Sequence, residues 1–166
     1  MRFLEEVPTT AVRVPSFNMA FFPRFDGLDD EAFRMRQSDI RPIRKHFYRD
    51  MRPSGFDIVT VEAALDRFDT SLARMERLLA ANGKWLVGED FTIADAVALP
   101  LVDRMYDLKL SGWDEAYPLV ADWYARASTT ESFVKTFHEK ARLSEFLEIV
   151  PLNAKPAWGK NREKTR

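Results

Sequence analysis

The sequence predicts an all-α fold, a helical bundle of roughly five to six helices with a buried helix at its centre. Three observations carry that expectation. Ile58, Val61, Leu65, Phe68, Leu72, Met75 and Leu79 recur at alternating spacings of three and four, one apolar stripe along a long helix. Thr92-Ile93-Ala94-Asp95 has the form of a reciprocal helix cap. It opens a segment, residues 93–110, that is apolar nearly all round in its first half and so marks a buried helix. No segment reads as a strand, and no internal repeat is present.

Taken in order, residues 1–6 fit the last turn of a helix ended ahead of Pro8. Residues 9–27 carry Pro15 and Pro23 without a sustained period and read as extended linker or loop. The same stretch holds Phe17, Met19, Phe21, Phe22 and Phe25, a density of apolar side chains that must cover something. Asp29 and Asp30 open a helix to about residue 51, with acids suited to the positive N-terminal dipole and a kink expected at Pro42. Asp57 is a fair N-cap for the striped helix, and Asn82-Gly83 supplies a left-handed C-cap.

Pro100 predicts a kink in the buried helix. Pro118 suits the first turn of a further helix holding Leu119, Trp123 and Ala127. A short helix is expected over residues 130–140 and one last turn over 144–150. Residues 155–166 carry five basic side chains and one acid and are read as disordered. The chain therefore divides into a linker remnant at 1–28, a helical domain at 29–150 and a basic tail at 151–166.

Composition narrows the function classes. Apolar residues are 46% and charged residues 31%, the balance of a chain able to bury a core. The net charge of -1 gives no case for nucleic acid or an anionic membrane. Absence of cysteine excludes disulfides, thiolate metal sites and cysteine nucleophiles. The longest apolar run, residues 96–102, falls far short of the roughly 20 residues of a membrane span. With no secretory signal at the start, a cytoplasmic location is expected. His46 and His138, the two histidines, do not cluster and suggest no metal site.

The run Trp85-Leu86-Val87-Gly88-Glu89-Asp90-Phe91-Thr92-Ile93-Ala94-Asp95 resembles the most recognisable stretch in the C-terminal domain of glutathione transferases. That pattern is an aromatic-Leu-x-Gly connector, three variable residues, then Ser/Thr-x-Ala-Asp opening a buried helix. Tyr117-Pro118-Leu119-Val120-Ala121-Asp122-Trp123-Tyr124 and Ser132-Phe133 stand where the family has a proline-started helix with a central Trp and then a small residue followed by Phe. The resemblance covers roughly residues 1 to 138.

What it implies is a domain on the hydrophobic-substrate side of an enzyme that attacks electrophiles with glutathione. In the family, a thioredoxin-like N-terminal domain holds and activates glutathione, through a Ser, Tyr or Cys near the sulfur, a cis-proline and a Glu/Gln-Ser pair. The chain begins about where the interdomain linker would start, with Phe3-Leu4-Glu5-Glu6-Val7 like the tail of that domain's last helix. It is thus expected to be inactive alone, to bind no cofactor by itself, and to partner a thioredoxin-like domain or a second copy. The family chemistry is detoxification, with glutathione as co-substrate. The alternative is a non-catalytic helical interaction module.

Among candidate residues, Phe17, Met19, Phe21 and Phe22 read either as packing over the helices or as a wall for an apolar electrophile. Arg41, Arg44 and Tyr48 on the following helix are candidate polar anchors. Thr92 and Asp95 are read as a structural capping box with no part in catalysis. Asp66, Arg67, Asp69, Arg74, Glu76 and Arg77 read as a solvated face of the striped helix.

Overall fold

The computed structural model describes residues 3, 8–25, 27–33, 35 and 52–162. Among them are α1 (Pro8–Ala11), α2 (Arg13–Ser16), a π turn (Phe17–Phe21) and a 3-10 turn (Phe22–Phe25). There follow α3 (Ile58–Asn82), α4 (Ile93–Asp107), α5 (Trp113–Ala116), α6 (Pro118–Ala127), α7 (Glu131–Thr136) and a 3-10 turn (Leu143–Glu145). No strand occurs among the described residues, only an isolated bridge between Trp85 and Gly88. The all-α expectation is met.

α3 is the spine. Its 25 residues start on Asp57, whose carboxylate accepts from the Thr60 amide at 2.9 Å, and end at Gly83, whose amide donates to the Leu79 carbonyl. Gly83 has the expected positive φ, 89°, but its ψ of -116° lies outside the left-handed helical region. Val61, Leu65, Phe68, Leu72, Met75 and Leu79 are buried as the stripe requires, each such side chain contributing about 1.5–3 kcal/mol. Ile58, the first of the stripe, is 45% exposed.

α4 carries the expected cap. The Asp95 carboxylate accepts from the Thr92 amide and hydroxyl, both at 2.9 Å, and the Thr92 hydroxyl oxygen accepts from the Ala94 amide. The helix buries Ala98, Leu99, Val102 and Met105. It is not enclosed all round in its first half, because Ile93 is 69% exposed and Ala96 and Pro100 face outward with it. Exposed Pro100 sits at the surface edge, where a lost backbone hydrogen bond costs least.

Two stretches differ from the sequence expectation. Residues 9–27 are largely helical where a linker was expected. Pro8 stands at the first turn of α1, where its missing N–H costs nothing, and the widened π turn follows Pro15. Burial supplies what propensity lacks: Ala11, Phe17, Met19 and Ala20 are each at most 6% exposed, and α1 and α2 pack on α3. Residues 155–162, expected to be disordered, are also placed: Asn161 is buried and the Trp158 indole donates to the Ser111 carbonyl at 2.8 Å.

The solvated face expected on α3 is half wrong. Arg67 and Arg74 are exposed, but Asp69 is 1% and Glu76 8% exposed. Asp69 accepts from the Tyr117 hydroxyl at 2.6 Å and from the Gly159 and Asn161 amides at 2.6 and 2.9 Å. Glu76 accepts from the Leu119 and Val120 amides at the head of α6. α4 adds Asp103, which takes Tyr124 and Arg142, and Asp107, which takes the Leu143 and Ser144 amides. Buried carboxylates are tolerated only when so satisfied, and these ones join elements far apart in sequence.

Candidate functional site

The aromatic stretch folds into a cluster in which Phe17 of the π turn meets Phe25, Phe33 and Phe56. Phe17 stacks on Phe25 with centroids 5.8 Å apart and meets Phe56 edge-on at 5.7 Å. Phe33, fully buried, closes the cluster against Phe25 at 4.8 Å. Phe17 and Met19 thus serve the core.

Beside this cluster lies a cleft of about 290 Å³. One wall is Asn18 and Phe22 from the N-terminal turns. A second is Ser54, Phe56, Ile58 and Val61, from the turn before α3 and its first helical residues. The third is Val150, Pro151, Leu152 and Asn153. Ile58 is exposed because it faces this cleft rather than the core.

Asn18 fixes the first two walls to one another. Its side-chain oxygen accepts from the Phe56 amide at 2.7 Å and its amide nitrogen donates to the Phe56 carbonyl at 2.9 Å. The approach is close enough that a Cβ on Gly55 would stand 2.8 Å from the Asn18 oxygen, and Gly55 has φ +88°. Glycine is the residue that both demands select.

Of the residues singled out from the sequence, Phe22 lines the cleft; Phe21 is half-buried beside the core and does not. Arg41, Arg44, Tyr48 and His46 lie outside the described residues. His138 is exposed, its ring nitrogen 2.6 Å from the Glu139 carbonyl oxygen. Sequence reasoning missed Phe56 and Leu152. Ile58 and Val61 were read as stripe residues for the core, and Ile58 left a trace as the one nearest a helix start, where core contact thins out.

The cleft's polar lining is neutral, from Asn18, Ser54 and Asn153, so it recognises shape and apolar surface rather than charge. Two tyrosines that could donate to a thiolate, Tyr117 and Tyr124, are engaged with Asp69 and Asp103. Burial pushes the Tyr117 and Tyr124 phenols above their ordinary range, and the hydrogen-bonded Asp69 and Asp103 carboxylates add to the rise. The same Asp103 raises the Arg142 guanidinium. Asp57 and Glu145 are lowered by backbone amides that donate to them, from Thr60 and from Lys140 and Arg142.

Residues 59–126 match the family model described as glutathione S-transferase, C-terminal domain. No curated protein and no solved structure gives a match. The matched span runs from the first turn of α3 to the end of α6, so of the cleft's lining Val61 alone falls within it. Among the described residues, no helix is long and apolar enough to cross a membrane.

Proposed function

We propose, from the match of residues 59–126 to the glutathione S-transferase C-terminal domain, that the chain forms the acceptor side of a glutathione-dependent transferase. The cleft between Phe22, Phe56, Ile58 and Leu152 is the observation that carries this reading. It holds a small apolar electrophile, oriented by neutral hydrogen-bonding groups, for attack by a glutathione thiolate. Holding the two reactants in one geometry is the contribution such a domain makes to rate. Activation of the thiol belongs to a thioredoxin-like domain that packs beside this one, and glutathione is its co-substrate.

A second reading, a helical module that docks partners or a second copy, draws on exposed apolar side chains elsewhere. Val87 is 63%, Phe91 38% and Ile93 69% exposed, all on the connector and first turn of α4.

The test uses the chain alone with the neutral dye Nile red and with glutathione. We expect saturable dye binding that Ile58→Glu weakens by about tenfold or more, since a carboxylate then faces an apolar wall. Ile58 is exposed and heads its helix, where an acid is favourable, so folding is expected to hold. Calorimetry should show no glutathione binding tighter than about 1 mM. Dye binding unchanged in the variant would exclude this cleft, and glutathione binding would overturn the division of labour.

A further inference from the structure

Residues 150–162 cross the molecule without helix or strand, yet they form a wall of the cleft. They are held at two ends. Near the cleft, the Val150 amide donates to the Met19 carbonyl at 2.8 Å. At the far end the fixings crowd onto α3 and the α4–α5 link. The Gly159 and Asn161 amides meet Asp69, Lys160 pairs with Asp66 at 2.6 Å, and Trp158 reaches Ser111.

Between the ends, Ala154 alone is buried. A second, open cleft of about 170 Å³ lies along it, between Glu62, Leu65 and Asp66 on one side and Lys155, Ala157 and Lys160 on the other. A segment with few backbone hydrogen bonds and an open cleft along it opens at low cost. What sets that cost is therefore the far-end latch, above all the two amides on the buried Asp69 carboxylate.

Asp69 has one donor that does not belong to the segment. The Tyr117 hydroxyl, from the α5–α6 junction, donates to the same carboxylate at 2.6 Å and stays when the segment leaves. Water can reach the side the amides vacate, so release does not strand a buried charge without donors.

We infer that residues 150–162 are a strap that gates the cleft, with Asp69 as its latch: ligand enters and leaves when Gly159 and Asn161 part from Asp69 and the Leu152 wall swings away. This rests on the reading of the cleft as the acceptor site. Asp69 is a positioning residue and touches no ligand.

Hydrogen exchange by mass spectrometry and stopped-flow Nile red binding on the full chain test it. Asp69→Asn keeps the shape but replaces an acceptor oxygen with a donor. It should speed exchange across residues 150–162 by about tenfold or more, as loss of a charge-assisted bond requires, and leave residues 58–127 slow. Dye association and dissociation should both quicken severalfold. Trp158→Phe, which loses the indole bond alone, should do the same to a smaller degree, and carries the test if Asp69→Asn does not fold. Unchanged strap exchange in the folded variants overturns the latch. Faster exchange with unaltered dye rates overturns the gate. Faster exchange in a chain that takes up no dye overturns the acceptor-site reading and the gate with it, while the latch stands.

Discussion

Asp95 is fully buried and accepts from the Leu86 amide at 3.0 Å, the Thr92 amide and hydroxyl at 2.9 Å, and the Trp123 indole at 2.8 Å. One carboxylate thus fixes the connector, the head of α4 and the middle of α6. Asp95→Ala is expected to cost about 3 kcal/mol or more in urea melts, against about 1 kcal/mol for a cap alone, because buried donors are left unmatched. Trp123→Phe should cost less in the Asp95→Ala background than in the parent, since the two share a bond. A loss near 1 kcal/mol with additive behaviour would mean that Leu86 and Trp123 do not depend on Asp95. The cap was legible in the sequence because it spans three residues. The Trp123 bond spans 28 residues, and no local rule reaches it.

At the scale of elements, α6 depends on its neighbours for its ends. Tyr117 at its N-cap makes no side-chain cap, and Glu76 of α3 supplies one by accepting the Leu119 and Val120 amides. The negative charge also suits the helix dipole there. Asp69, Ala73 and Glu76 share one face of α3, and Ala73 is 2% exposed. That small buried residue between two acids was the available sign that the face is covered, and charge alone concealed it. Tyr117 and Tyr124, at the head of α6 and within it, tie the helix to Asp69 and Asp103.

These tyrosines give the pH dependence. Their phenols are raised in the folded state, so folding is unaffected by them below pH about 10, where both states hold the proton. As pH climbs above that value the unfolded chain ionises first, and stability falls. Alkaline titration at the phenolate absorbance band should show two tyrosines ionising only as the helix signal is lost. Tyr117→Phe and Tyr124→Phe should each remove one of those late phenols. Late ionisation that persists unchanged in both variants would contradict the assignment.

Over the whole molecule, the helices that follow local rules are the ones the sequence announced. α3 has its stripe and both caps, α4 its box and α6 its leading proline, and the family match covers this same span. The flanks escaped because their order is tertiary. Residues 9–27 have no helical period but are held by burial against α3, and the last described residues hang on Asp69 and Ser111. The cleft is built where those two flanks meet the start of α3, so only Phe22 of its lining was foreseen as a site residue. Its first wall was assigned to the linker, its second to the turn and start of the striped helix, and most of its third to the tail.

The central claim is that an apolar acceptor occupies that cleft, not the exposed side chains of the connector and α4. Intermolecular NOEs between methyl-labelled protein and a dinitrobenzene test it most directly. We predict contacts to the methyls of Ile58, Val61 and Leu152. Contacts to Val87, Ile93 and Val97, with none to those three, would contradict the account.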